Sequence, residues 1–373
     1  MKKHVILHIG PPKTGTSVLQ NWFNANKELL AKHGVLYPEH RVDKNGVSSG
    51  NKDLFLDKCN ESGVTKFNNT KYQLLLDDFK KGSFSRLLLS SEFFFSALPH
   101  ILEASKGVKV EIVAYIRPEY EFLESIYNQS VKRNKQTKPI ALKESLPASY
   151  LNRLMDYIKT YGSEEFHLRG YGVGNFFQNG IVADFLSVLD IDEGYATSSN
   201  NQYINRSYSF ECLEFKRWTN RFQLNGLDRE LDSQLQAYDK GIKHYTVIPF
   251  KAYTRYQEQS KKKIDVLNSL APIANVEALF DYIDSSKRGD YYHQDLYDSH
   301  IVHVIQFILE RDASLVQSLI KSIEKQAKDE FDKKKLHVIK QCYLKGAESA
   351  KLQKGLWSQV VRKLKAIASK VGI

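Results

Sequence analysis

The chain alternates short apolar runs with longer amphipathic stretches. Three runs are too short for buried helices and predict strands, each followed by a helical pattern: Val5–Ile9, Arg86–Leu89 and Val110–Ile116. From residue 205 to about 345, periodic Leu, Ile and Phe positions predict mainly helices. Strands that alternate with helices predict an α/β fold with a mainly parallel sheet, helices on both faces and a helical C-terminal extension.

The first predicted strand leads into a Gly/Pro loop, Gly10 to Gly15, and then into a helix that opens at Thr16 and Ser17. Such a junction suits an anion, because backbone N–H groups and the helix dipole both favour negative charge there. The loop is similar to a Walker A sequence, but its lysine, Lys13, precedes the second glycine by two residues. We therefore expect a P-loop-like sheet. A surface turn and a degenerate nucleoside-triphosphate loop are the alternatives.

A second strand–helix junction lies at Arg117, where Pro118 suits the first helical position. Arg117 therefore ends a predicted strand at the sheet edge where open α/β proteins bind ligands. Ser125 falls in the second turn of the helix that follows. An arginine fork and a hydroxyl together suit a phosphate dianion. Taken singly, Arg117 reads as a surface charge and Ser125 as a solvated helix residue.

Glu92 follows the remaining predicted strand and precedes a run of phenylalanines. A carboxylate among aromatic rings is partly desolvated, which raises its pKa and makes it a better base. In the alternative interpretation, Ser90 or Ser91 caps the next helix and Glu92 only favours its positive end. His100 is a reserve candidate for the base, two turns further along.

Two motifs resemble those of the sulfotransferases that use PAPS (3′-phosphoadenosine-5′-phosphosulfate). They are P-K-T-G-T-S after the first strand and Arg-x7-Ser, which is followed by Y-N-Q. The resemblance implies that the loop holds the 5′-phosphosulfate and that Arg117 and Ser125 hold the 3′-phosphate. It also implies that Glu92 deprotonates the acceptor hydroxyl and that Lys13 acts on the leaving phosphate. The loop residues concerned are Lys13, Thr14, Gly15, Thr16 and Ser17.

The chain also departs from the family. Val18 stands where many relatives have a tryptophan that stacks on adenine, and no late basic, glycine-rich element is found. We expect the adenine platform elsewhere, with Tyr171 as a candidate. The match lies nearer the bacterial and carbohydrate branches, so the expected acceptor is a saccharide on a cell-surface polysaccharide or a lipid-linked glycan. A P-loop kinase and a non-catalytic, membrane-associated nucleotide-binding protein are the alternatives.

Composition bounds these expectations. With 42% hydrophobic and 26% charged residues among 373, the chain reads as globular. Cys59, Cys212 and Cys342 share no C-x-x-C spacing, and the pair His300 and His303 has no companion pattern, so we predict no metal. No secretory signal or apolar run of roughly 20 residues is present, and we expect a cytoplasmic protein.

The positive charge is concentrated at the C-terminus. Residues 325–373 hold 13 basic and four acidic side chains, which is +9 of the total +11, so the body lacks the charge of a nucleic-acid enzyme. The last segment places apolar positions near one helical face: Leu356, Trp357, Val360, Val361, Leu364, Ile367, Ala368 and Val371. Such a helix binds an anionic membrane surface, here the inner face of the membrane, or docks on the protein itself.

We therefore predict three consecutive parts. Residues 1–195 form the PAPS-binding core, 196–330 form a helical part that completes the domain on the acceptor side, and 331–373 form a basic linker and an amphipathic tail helix.

Overall fold

The computed structural model describes residues 3–40, 48–58, 65–172, 180–198, 208–286 and 288–346. The predicted tail helix lies outside the described residues. Within them, no helix is long and apolar enough to cross a membrane. The strands are β1 His4–His8, β2 Val35–Leu36, β3 Leu56–Lys58, β4 Thr65–Phe67, β5 Arg86–Ser90, β6 Lys109–Ile116, β7 Phe166–Gly170, β8 Tyr245–Thr246, β9 Ile273–Ala274 and β10 Asp290–Tyr291.

Helices make up most of the remaining regular structure. They are α1 Thr16–Ala25, α2 Lys27–Lys32, α3 Asn69–Lys81, α4 Phe94–Ala104, α5 Glu119–Arg133, α6 Ser149–Tyr161, α7 Gly180–Val188, α8 Phe210–Thr219, α9 Asp228–Ala237, α10 Phe250–Leu270, α11 Val276–Ser285, α12 Asp298–Arg311, α13 Ala313–Glu324 and α14 over 330–346. Short 3₁₀ turns span Gly50–Leu54 and Glu193–Ser198.

Six strands form one parallel sheet in the order β2-β5-β1-β6-β7-β9. The predicted α/β fold with a mainly parallel sheet and flanking helices is thereby confirmed. The three apolar runs found in the sequence are its three adjacent strands β5, β1 and β6, with ends that differ by a residue. The chain builds β2 and β5 on one side of β1 and then β6 and β7 on the other. Ligands of open parallel sheets bind at such a reversal.

Both faces of β1 are covered. Val5 and Leu7 are fully buried on one face, and Ile6 is 1% exposed on the other. Alternate side chains of a strand point to opposite faces. Ile6 therefore packs in one cluster with Phe23 of α1 and Phe185 of α7. Burial on both faces is why the strand reads as a continuous apolar run rather than an alternating one.

The chain divides into two compact units. The first holds the parallel sheet and comprises Met1–Ser125, Leu142–Asn205 and Phe250–Lys287. The second comprises Ile126–Ala141, Arg206–Pro249 and Arg288–Ile373. This division is not the predicted sequence of three parts, because Phe250–Lys287 returns to the first unit and supplies β9 to its sheet. A strand of two residues carries too few positions to show a period.

The second unit is mainly helical. Its core includes Trp218 of α8, Ile305 of α12, Leu319 of α13 and Ile339 of α14. The indole nitrogen of Trp218 donates to Asp332 at 2.8 Å, which satisfies its polar group inside this core. The part of 331–373 that the structure describes is therefore a packed helix. Its basic residues had suggested a linker, yet charged positions on one side of a helix are compatible with an apolar side that packs.

We predict that alanine at Gly50 destabilises the first unit more than alanine at Gly107. Both glycines have a positive φ, +63° and +86°, so each substitution carries the cost of a left-handed backbone, about 1–2 kcal/mol. Only at Gly50 does the new Cβ also clash, 1.8 Å from the Ser90 carbonyl oxygen, while nothing lies within 4 Å at Gly107. Overpacking adds about 1–3 kcal/mol. Denaturant unfolding measures both variants. Equal losses in the free energy of unfolding would mean that Gly50 is not closely packed against β5.

Candidate functional site

The loop that follows β1 begins at the carboxyl edge of the sheet, where the end of β1 and the first loop residues are hydrogen-bonded to both neighbouring strands. The Ser91 N–H donates to the His8 carbonyl at 3.1 Å, and the Tyr115 N–H donates to the Gly10 carbonyl at 3.3 Å. The hydrogen bonds between strands thus continue beyond β1 on both of its sides. The position of the first loop residue is therefore set by both neighbouring strands.

The loop is braced internally. The hydroxyl of the buried Thr14 donates to the Pro11 carbonyl at 2.7 Å. Gly15 takes a left-handed conformation with φ +77° directly before α1. The N–H groups of Thr16 and Ser17 open that helix and have no acceptor within it. The predicted donors therefore lie at the N-terminus of a ten-residue helix.

Arg117 is brought to this loop from the end of β6. Its Nη1 donates to the Lys13 carbonyl at 2.8 Å, although the two residues are 104 positions apart. Its Nε donates to Glu121 at 3.0 Å, and the Tyr282 hydroxyl donates to the same carboxylate at 2.6 Å. The guanidinium carbon lies 5.7 Å from the ring centroid of Tyr171. The loop, Arg117 and the proposed adenine platform therefore form one cluster.

Ser125 lies on α5, one turn beyond Glu121. Residues four apart share a helix face, so the half-buried Ser125 follows the Glu121 that pairs with Arg117. The helix itself begins at Glu119, one residue later than the sequence suggested. Sequence reasoning missed Glu121, although its spacing of four from Arg117 is that of a helical ion pair.

Glu92 emerges on the other side of the loop, directly after β5. Its backbone is close to the loop, since a Cβ added at Gly10 would lie 3.3 Å from the Glu92 Cα. Burial raises the pKa of the Glu92 carboxyl, while the ammonium groups of Lys13 and Lys52 oppose that rise. The Ser91 hydroxyl accepts the Phe93 N–H at 3.2 Å in the turn that precedes α4, and among the described residues no side chain caps the start of that helix.

The reserve candidate, His100, has other contacts. Its ring lies in α4 and stacks on Phe67 of β4, with the centroids 5.9 Å apart and the planes 14° from parallel. This ring contact gives His100 a packing role that sequence spacing did not indicate.

Lys52 is a charged neighbour of Glu92 that the sequence did not single out. It lies in the 3₁₀ turn Gly50–Leu54, and its Nζ is 4.3 Å from the ring centroid of Phe93. The turn is attached to the end of β5, because the Ser90 N–H donates to the Asn51 side chain at 2.9 Å. Forty residues separate Lys52 from Glu92 along the chain, so their sequence positions give no sign that the two side chains lie near each other.

Beneath the edge, His8 of β1 is fully buried. Its Nδ1 lies 2.8 Å from the Ser90 hydroxyl, and its ring contacts Phe185 edge-on. Burial lowers the pKa of His8 to about 3, so the ring stays neutral at physiological pH. It joins two strand ends and is a packed polar group, not a titrating one.

His300 of the H-x-x-H pair belongs to the second unit. Its ring meets Phe210 edge-on at 5.6 Å and Tyr297 at 5.1 Å. In the parts of the chain that the structure describes, no three His, Cys, Asp or Glu side chains converge as metal ligands.

All the site residues described above, His300 excepted, lie in the first unit. Fold and site define an α/β protein with a loop and a helix N-terminus at its switch point, flanked by Arg117 on one side and the half-buried Glu92 on the other. No protein-family model, curated protein or solved structure matches this chain.

We predict that Glu119, which follows Arg117 and Pro118, lowers the free energy of unfolding as pH rises. It is 2% exposed, accepts the Leu151 N–H at 3.0 Å, and burial raises its pKa from 4.5 to about 7. The folded state then holds a proton that the unfolded state has lost, so this contribution to stability falls as pH rises from 4.5 to about 7. Glu119→Gln keeps the acceptor oxygen and removes the charge.

The stability of Glu119→Gln relative to wild type should therefore rise across that pH window, by up to about 3 kcal/mol, and then level off. Denaturant unfolding at a series of pH values measures the difference. Glu103→Gln, at an exposed position on α4, is the control for removing a surface carboxylate. A stability difference for Glu119→Gln that does not change with pH would contradict the assignment.

Proposed function

We propose that this protein is a PAPS-dependent sulfotransferase that transfers a sulfuryl group to a saccharide hydroxyl. The observation that carries the proposal is the hydrogen bond from Arg117 to the Lys13 carbonyl. It joins the two elements whose sequences suggest 5′-phosphosulfate and 3′-phosphate binding. Glu92 lies against the start of the same loop, where a catalytic base would be needed.

Each part of the cluster has a role in this proposal. The N–H groups of the loop and the start of α1 hold the 5′-phosphosulfate. Arg117 and Ser125 hold the 3′-phosphate, with Glu121 fixing the guanidinium, and Tyr171 offers a face to the adenine. The fold supports this assignment because β1, β5 and β6 are adjacent, so all three strand ends open on one crevice.

The reaction is a direct transfer. Glu92 takes the proton of the acceptor hydroxyl as its oxygen forms a bond to sulfur, and the bond between sulfur and the bridging phosphate oxygen breaks. Lys13 and the loop donors stabilise the negative charge that grows on that oxygen. Alignment of the two substrates supplies much of the remaining acceleration.

The acceptor is proposed to approach from the side of Glu92, past the turn Gly50–Leu54. We keep the saccharide class, on a cell-surface polysaccharide or a lipid-linked glycan, with association at the inner membrane surface through the tail as part of the proposal. A kinase would use Mg²⁺ and a lysine next to the helix start, where this loop has Thr16. A panel of PAP (3′,5′-bisphosphoadenosine), PAPS, ATP and NAD, each with and without Mg²⁺, separates these classes by thermal shift.

We predict that wild-type protein binds PAP more tightly than AMP and that Arg117→Ala abolishes this preference. A charge-assisted hydrogen bond to phosphate contributes about 1.5–3 kcal/mol, roughly a tenfold to hundredfold preference. Isothermal titration with both nucleotides measures it. Arg153→Ala is the control, because that arginine contacts Phe95 and Tyr157 on α4 and α6.

The titrations with AMP distinguish two roles of Arg117, which are binding of the 3′-phosphate and support of the loop. If the guanidinium only braces the loop, Arg117→Ala weakens PAP and AMP by the same factor. Equal affinity of the wild type for the two nucleotides would exclude a 3′-phosphate site here.

We predict that Glu92→Gln lowers turnover by about 10²–10⁴-fold, the usual loss when a general base is removed. PAP affinity should stay within a factor of a few, because glutamine has nearly the same shape as glutamate.

Lys13→Ala should likewise reduce the rate more than PAP affinity, since the contact made by Lys13 strengthens in the transition state. In the wild type the rate should fall as pH drops through the raised pKa of Glu92. Near-normal turnover of Glu92→Gln would remove the base from this position.

A further inference from the structure

Lys52 is held where it can act on Glu92 by a turn that has little freedom to move. Besides the Asn51 contact to Ser90, the Ser91 hydroxyl donates to the Ser49 carbonyl at 2.8 Å. The close packing of Gly50 on the end of β5 leaves no room for a methyl group. The turn therefore presents Lys52 to the sheet edge from a segment that is separate from the loop.

Glu92 thus faces cations from two different elements. Among the described residues, the charges that act on it are Lys13 of the loop and Lys52 of the turn. Under the proposed function these two are not equivalent. Lys13 belongs to the donor site, and its charge is compensated when the phosphosulfate binds.

Binding of the phosphosulfate donor should then favour the protonated form of Glu92, which cannot act as a base. A phosphosulfate brings negative charge close to a half-buried carboxylate, and a like charge disfavours ionisation. A protonated Glu92 could not accept the hydroxyl proton. A second cation outside the donor site is needed to keep the carboxylate ionised in the complex.

We propose that Lys52 is a positioning residue for proton transfer, whose ammonium holds Glu92 ionised and oriented while the donor occupies the loop. The inference rests on the proposed function and deepens it. It assigns the turn Gly50–Leu54 a part in regulating the base. The competing role for Lys52 is structural, since its side chain also covers the Phe93 ring.

Lys52→Met distinguishes the two roles, because it keeps an unbranched stem over Phe93 and removes the charge. Lys52→Arg keeps the charge, and Lys58→Ala changes an exposed lysine of the same segment on β3. The Glu92 carboxyl is followed by ¹³C NMR in glutamate-labelled full-length protein, with its signal assigned by its loss in Glu92→Gln. Each variant is titrated with pH, alone and saturated with PAP.

In Lys52→Met the midpoint of the Glu92 titration should lie about one pH unit above wild type, and the gap should widen when PAP is bound. Lys52→Arg and Lys58→Ala should titrate like wild type. If PAP binds but Lys52→Met leaves the midpoint unchanged, the inference is overturned while the proposed function stands. If wild type does not bind PAP, the proposed function fails first.

Discussion

The parallel pairing of β1 between β5 and β6 is the constraint on which the site depends. Because β1 is buried on both faces and bonded along both edges, its carboxyl end cannot shift relative to its neighbours. The residues that follow β5 and β6 are therefore held on either side of the loop that follows β1. Glu92 depends in this way on the β1–β5 ladder and Arg117 on the β1–β6 ladder, since a one-residue slip turns every side chain of a strand to the opposite face.

The parts of the fold that depend on local pattern were accessible from sequence. The three central strands and the helix after the loop have apolar runs and junction residues that predict them directly. The meeting of strand-end residues at one edge also follows from parallel pairing, whereas the strand order that makes β1 the switch point is seen in the structure. Candidate residues such as Lys13, Glu92 and Arg117 were found because each stands immediately after a predicted strand or within the loop that follows it.

What the sequence could not supply depends on contacts between distant segments. Lys52 reaches Glu92 only because Asn51 and Gly50 fit the end of β5, and nothing in a polar turn reveals that fit. The return of Phe250–Lys287 to the first unit was missed for a similar reason, since β9 is a two-residue edge strand. The state of His8 also depends on distant segments, because the strands and helices that bury it lower the pKa of its ring.

The contact between Arg117 and the Lys13 carbonyl also bears on how this motif could be transferred. A short glycine-rich loop is often regarded as self-contained, so that its sequence alone suffices to recreate it in another scaffold. Here the loop accepts a hydrogen bond from the Arg117 guanidinium, which follows another strand. That guanidinium is hydrogen-bonded to Glu121, and Glu121 in turn accepts a hydrogen bond from Tyr282. A graft of residues 10–17 would omit this support. The smallest portable unit is two strand–helix junctions, not one.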